Sequence, residues 1–359
     1  MNKARVLAFY LPQYHPIPEN DKWWGKGFTE WTNVGKAKPL FKGHDQPKIP
    51  ADLGYYDLRL PEIREAQAEM AKKHGVEGFC YWHYWFGGGR RLLERPFNEV
   101  LALGKPDFPF CLAWANHSWE DKLFNKEGTK KLLIEQTYPG DEDYILHFNT
   151  LLPAFKDARY VRVNDKPLFM VYNPFDLPDM HHFIELWNKL AIENGLGGIH
   201  FVAQTYNIED IDILRKNGFD AVNIVRLFHF FKKDYSLIER AYLKIMRIAF
   251  KTGRIVSYKK AAKWFSGIED KDNTCYPCLI PGWDHSPRSG KGGHILVNPT
   301  PEVFSKHVQT VVNTVKDKPD QEKIVFLRSW NEWAEGNYME PDIKHGHGFL
   351  DALKKNICD

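Results

Sequence analysis

Two glutamates three residues apart, Glu332 and Glu335, are the pair in this chain best placed to do chemistry. They follow an apolar run, Ile324-Val325-Phe326-Leu327, that reads as a buried strand. Arg328, Ser329, Trp330 and Asn331 stand between the run and the first acid, and Trp333 and Ala334 separate the two. Charge at the end of a buried strand costs solvation free energy unless it is paired or used. Two carboxylates in one cavity can cleave a glycosidic bond, one protonating the leaving oxygen while the other acts at the sugar ring. The competing reading is structural, with one acid capping the next helix or pairing with Arg328.

Composition points the same way. Aromatic residues make up 14% of the 359 positions, including 12 tryptophans. Trp23, Trp24, Trp31, Trp82, Trp85, Trp114 and Trp119 all fall in the first third. An indole stacks on the apolar face of a sugar and donates a hydrogen bond to its polar edge. The net charge is +3 with basic residues scattered, which argues against a nucleic-acid surface. No run approaches the roughly 18 apolar residues of a membrane span. The start, MNKARVLAFYLPQYHP, lacks a leader's apolar length and cleavage site, so the expected compartment is the cytoplasm. Five cysteines with no framework fit a reducing compartment.

The elements that must position the acids alternate along the chain. Strands are expected at 5–10, 76–82, 109–115, 167–172, 199–204, 218–222, 278–281 and 324–327. Helices are expected at 61–74, 92–103, 141–155, 180–194, 209–217, 303–315 and 348–356. This order predicts a single α/β domain over 1–359, a (β/α)8 TIM barrel with elaborated βα loops. A doubly wound open sheet would carry a glycine-rich turn after its first strand, and Leu11-Pro12-Gln13 is not one. The first loop is long and aromatic, and the lysine-rich region 226–265 is helical with boundaries the pattern does not place.

In such a barrel the residues just past the strands form the site. They are Tyr10, Gln13 and His15 after the first strand, and Trp82, His83 and Trp85 after the second. Trp114, Asn116 and Trp119 follow the third, and Gln204 the fifth. Trp283, Asp284 and Arg288 follow the seventh, and Trp330, Asn331 and Trp333 surround the acids after the eighth. In the first loop Trp24 is a further candidate, while Glu30 and Trp31 either touch substrate or pin the loop. Aromatics, amides and acids fit a neutral, hydroxyl-rich ligand, an oligo- or polysaccharide. No GxxxxGK[ST] loop or basic phosphate cradle stands out. No cofactor and no metal is expected, because Cys275 and Cys278 lack a second pair and His345 and His347 lack a carboxylate constellation.

The segment Ser329-Trp330-Asn331-Glu332-Trp333-Ala334-Glu335-Gly336, with Glu340-Pro341 behind it, resembles the NEWxEG…EP signature of glycoside hydrolase family 99. The opening Ala8-Phe9-Tyr10-Leu11-Pro12-Gln13-Tyr14-His15-Pro16 and Gly27-Phe28-Thr29-Glu30-Trp31 resemble the related WbsX-type proteins of bacterial polysaccharide loci, often labelled glycosyltransferases. The second likeness runs along nearly the whole chain. The family 99 resemblance implies a (β/α)8 barrel that cleaves α-mannosides internally with retention and without an enzyme nucleophile. One carboxylate deprotonates the sugar 2-hydroxyl, which closes a 1,2-anhydro intermediate. The other protonates the leaving group and then activates water. By position, Glu332 would serve the 2-hydroxyl and Glu335 would be the acid/base. The sequence departs from family 99 at Ala334, where a histidine is usual, and in its aromatic first loop. The WbsX likeness implies a second function, glycosyl transfer in O-antigen or capsular polysaccharide assembly.

Overall fold

A computed structural model describes residues 2–121, 131–230, 236–250 and 254–358. Eight parallel strands form a closed barrel: β1 (Arg5–Tyr10), β2 (Val76–Trp85), β3 (Phe110–Trp114), β4 (Lys166–Val171), β5 (His200–Thr205), β6 (Ala221–Ile224), β7 (Cys275–Leu279) and β8 (Ile324–Leu327). Neighbours in sequence are neighbours in space, and β1 pairs with both β2 and β8 to close the ring. The apolar strand bodies are buried on both faces, by the barrel interior and by the helices outside. The expected (β/α)8 architecture is the one observed.

Several boundaries differ from expectation, the larger differences for physical reasons. Strand β2 runs on to Trp85, and a short antiparallel return pairs Tyr84 with Leu92 and Trp85 with Arg91. The expected helix at 92–103 therefore starts later, at Arg95–Leu103, with proline in its first turn. Strand β7 sits three residues earlier than the apolar run indicated. Pro277 lacks an N–H to donate to a sheet ladder, yet pairing of Val222 with Cys275 and of Cys278 with Phe326 holds the stretch in the sheet. Strand β6 begins at Ala221, because the glycine at 218 (φ 96°) belongs to the preceding turn.

The long first loop is built, not loose. It contains helices Pro18–Trp24 and Glu30–Lys36, the first opened by its proline and the second by Thr32, whose hydroxyl accepts from the Thr29 N–H at 3.3 Å. Among the described residues no helix is long and apolar enough to cross a membrane.

Candidate active site

The turn after β8 is held in an unusual conformation. Ser329 has φ 135°, a region that non-glycine residues avoid. Its hydroxyl accepts from the N–H groups of Asn331 (3.1 Å) and Glu332 (2.7 Å). Asn331 grips the end of β1 by both side-chain ends, accepting from the Leu11 N–H (2.7 Å) and donating to the Leu11 carbonyl (3.0 Å). The Tyr14 hydroxyl donates to the Asn331 carbonyl. A single 3₁₀ turn, Trp333–Glu335, then carries the chain to Gly336 at φ 62°. A Cβ on Gly336 would lie 2.8 Å from the Asp284 backbone nitrogen, which itself donates to the Glu335 carbonyl at 2.6 Å. Gly336→Ala is therefore expected to cost about 2 kcal/mol or more, from left-handed backbone and a clash with fixed backbone. Chemical denaturation of the variant checks it.

Behind the turn lies a third acid. Glu340 is buried and accepts from Gln67 (2.6 Å), Tyr56 (2.8 Å) and the Trp333 indole N–H (2.6 Å). Burial pushes its carboxyl up to about 7, despite those donors. Glu340 anchors Trp333, which lies between Glu332 and Glu335.

The two candidate acids have opposite surroundings. Glu332 accepts from the Trp82 indole N–H at 3.0 Å, with Asn337 at 3.5 Å. Burial, reinforced by the neighbouring charge of Glu335, raises its carboxyl well above the usual range. Burial also acts on Glu335, but the guanidinium of Arg288, with His285 and Arg328 nearby, more than reverses it and keeps that carboxylate ionised. Nη1 of Arg288 donates to Glu335, while its Nε (3.0 Å) and Nη2 (2.6 Å) both donate to Oε1 of Glu30. Glu332 and Glu335 lie close enough for each carboxyl to act directly on the other. These opposite shifts favour a proton on Glu332 and a charge on Glu335.

Both acids open into a cavity of about 610 Å³ at the carboxyl end of the strands. Trp23, Trp24, Phe28 and Trp119 make an aromatic wall, with neighbouring ring centroids 4.8 Å (Trp24–Phe28) to 6.5 Å (Trp24–Trp119) apart. Trp82, Tyr84 and Tyr172 line the end near the acids. Among the described residues no cluster of three metal-ligating side chains occurs.

Of the residues expected from sequence, Gln13, Trp24, Glu30, Trp82, Trp119, Arg288, Glu332 and Glu335 line this cavity. Several others sit elsewhere. Strand alternation sends Trp82 and Tyr84 inward, while His83 and Trp85 point out to the helix Asp141–Lys156. There His83 lies 2.8 Å from His147, and the Trp85 indole donates to Asp143 at 3.0 Å. Trp114 packs against His147 and Phe183 on the same outer side. Tyr10 is buried with its hydroxyl on Gln67 (2.6 Å), and His15 lies against the Pro12 carbonyl (3.1 Å). Trp31 pins the first loop, donating to the Tyr56 carbonyl at 2.7 Å. Asn116 ties β3 to Asn173, accepting from its N–H at 2.8 Å and donating to its carbonyl at 2.7 Å. Asp284 is held by His44 (2.8 Å) and Gln46 (2.7 Å). Gln204, Trp283 and Trp330 are buried and do not line the cavity.

The cavity also contains Tyr172, which follows the fourth strand, and residues that strand-end reasoning did not select, including Trp23, Phe28, Tyr84, His117 and Arg328. Tyr84 was detectable once β2 was read two residues longer, since it shares a face with Trp82. The Asp-x-Asp triplets at 141–143, 210–212 and 270–272, a pattern familiar from nucleotide-sugar sites, are occupied elsewhere: Asp143 by Trp85, Asp210 by Thr205 (2.5 Å) and Asp270 by Arg226 (2.5 Å). None of them lines the cavity.

Comparison with known proteins places these observations. The chain is 38% identical over 357 residues to the uncharacterized protein WxcX from two strains of Xanthomonas campestris pv. campestris, a match over 99% of this chain. It spans only about half (50%) of those relatives' length. A Bacteroides thetaiotaomicron family 99 endo-α-mannosidase has the same fold, with a TM-score of 0.59 at 14% identity over 98% of this chain and 95% of that one. A glycoside hydrolase-like protein matches equally well, with a TM-score of 0.59 at 15% identity over 98% of this chain and 93% of that one. The sequence model of the family described as glycosyltransferase WbsX matches residues 6–353, and the chain belongs to that family.

Proposed function

We propose that this protein is a retaining glycoside hydrolase acting on a polysaccharide through participation of the sugar 2-hydroxyl. The observation that carries the reading is the pair Glu332 and Glu335, one held by Trp82 and the other by Arg288, both facing one aromatic-walled cavity. Trp82 anchors one acid and Arg288 the other, so both are positioned before substrate arrives.

In the proposed sequence, Glu332 takes the proton of the 2-hydroxyl, whose oxygen attacks the anomeric carbon. The glycosidic C–O bond breaks as Glu335 delivers a proton to the leaving oxygen. Glu335 then takes a proton from water, which opens the three-membered ring at the anomeric carbon, and the 2-oxygen recovers its proton from Glu332. Two inversions give retention. The resting proton lies on Glu332, whereas this cycle begins with it on Glu335. Direct approach of the two carboxyls is the proposed route for that transfer, driven by the sugar hydroxyl donating to Glu332.

A pH dependence follows. Glu335 is held below the ordinary carboxylate range and Glu332 above it, so the one-proton state of the pair spans a wide interval on either side of that range. The kcat/KM profile is expected to stay flat through mildly acidic pH. It should fall on the alkaline side as the pair loses its last proton. A steady-state pH profile checks this, and a rate that climbs continuously into alkali would contradict it.

The second reading, glycosyl transfer, is favoured by the family's description. A nucleotide-sugar donor needs a diphosphate cradle, and the three Asp-x-Asp triplets are engaged outside the cavity. The two readings separate in one experiment. Incubation with bacterial surface polysaccharides should release new reducing ends, and incubation with nucleotide sugars and acceptor should release no nucleoside diphosphate. The reverse pair of results would establish the transferase.

A further inference from the structure

We propose that the helix Leu237–Phe250 seats this protein on an anionic lipid surface. Ile238, Ile245 and Ile248 are 82%, 63% and 64% exposed. With exposed Ala241 they recur at i, i+3, i+7 and i+10, which aligns them in one stripe along the helix. A scattered exposed isoleucine needs no explanation, whereas a continuous stripe of three marks a contact surface. Arg240 and Lys244, also exposed, border the stripe on one side.

Charge selects the occupant. Residues 232–263 contain ten lysines and arginines against Asp234 and Glu239, a net +8. The chain as a whole carries only +3, so the remaining residues sum to −5. Exposed Arg240 and Lys244 beside an apolar stripe, in a sequence stretch of that net charge, fit a helix lying in the headgroup region, with isoleucines reaching the acyl boundary and these cations on anionic headgroups. The helix lies in the excursion between β6 and β7. That excursion is tied to the loop after β7 by parallel pairing of Ile255–Ser257 with Ile295–Val297, and Lys260 bridges to Glu239 at 2.9 Å. It therefore leaves the barrel on the cavity's side, and docking there brings the cavity toward glycan carried at a membrane. The lipid surface itself does not depend on the hydrolase reading.

Co-sedimentation with vesicles of phosphatidylcholine, with and without phosphatidylglycerol, tests the proposal. The intact protein should pellet with the phosphatidylglycerol vesicles only, and high salt should release it. The combined variant Ile238→Ser, Ile245→Ser and Ile248→Ser should bind about tenfold more weakly. Its circular dichroism and melting should be unchanged, because these side chains are exposed. Arg240→Glu with Lys244→Glu should also weaken binding and leave the isoleucines in place. Absence of binding to either vesicle overturns the proposal, as does undiminished binding by the serine variant. A dimer in sedimentation equilibrium that the serine variant converts to monomer also overturns it, since the stripe would then join two copies of the chain.

Discussion

Glu335→Gln is expected to lower kcat for glycan cleavage by about 1,000-fold or more while leaving glycan affinity within a few-fold of the parent. The amide keeps the shape of the carboxylate and can still accept from Arg288, so the cavity and its aromatic wall persist. What it loses is the ability to give a proton to the leaving oxygen and take one from water, worth roughly 10²–10⁴ in rate on its own. Glu332→Gln should lose a comparable factor, and the double variant should be little worse than either, because the two act on one proton. Single-turnover kinetics with calorimetric binding measures both quantities. Full activity in Glu335→Gln would remove the residue from the mechanism.

The largest expected effect on stability lies one step behind the acids. Glu340→Ala should cost about 3 kcal/mol or more. It removes the acceptor for Gln67, Tyr56 and Trp333 together, and each buried donor left without a partner costs roughly 1–3 kcal/mol. The parent protein also carries a pH signature at this residue. The folded carboxyl is pushed up to about 7, above its unfolded value of roughly 4.3, so the folded state binds the proton more tightly. Its contribution is fully present below the unfolded pKa and is lost as pH rises through the folded one. Urea denaturation at several pH values should show that decline in the parent and its absence in the variant. A loss under about 1 kcal/mol would mean that the three donors find other partners.

The barrel was legible in the sequence because its strands are short apolar runs alternating with helical periodicity, and parallel strands buried on both faces read that way. The acids were legible for the same reason, since Glu332 and Glu335 interrupt apolar surroundings where charge is costly. The direction of side chains at strand ends was less so. A list of residues after each strand treats His83 and Tyr84 alike, but one more turn of the pleat sends the histidine to the outer helices and the tyrosine into the cavity. Trp114 and Trp85 fail as lining residues on the same ground: they fill the layer between strand and helix, where a large aromatic contributes most to packing.

Arg288 illustrates what only three dimensions supply. Its position in sequence, 47 residues from Glu335, says nothing about a clamp between Glu30 and Glu335. Nor could spacing reveal that this clamp gives two glutamates three residues apart opposite charge states. Glu30 lines the cavity and is bound to Arg288, which links the first loop to the acids.

Glu332 and Glu335 are proposed to cleave a glycosidic bond by two successive inversions at one carbon. Proton NMR of the first product formed from a polysaccharide substrate, recorded before mutarotation, tests it most directly. The new reducing end should appear with the anomeric configuration of the bond that was cut. A first product of opposite configuration would contradict it, because a single displacement by water leaves no place for the 2-hydroxyl step.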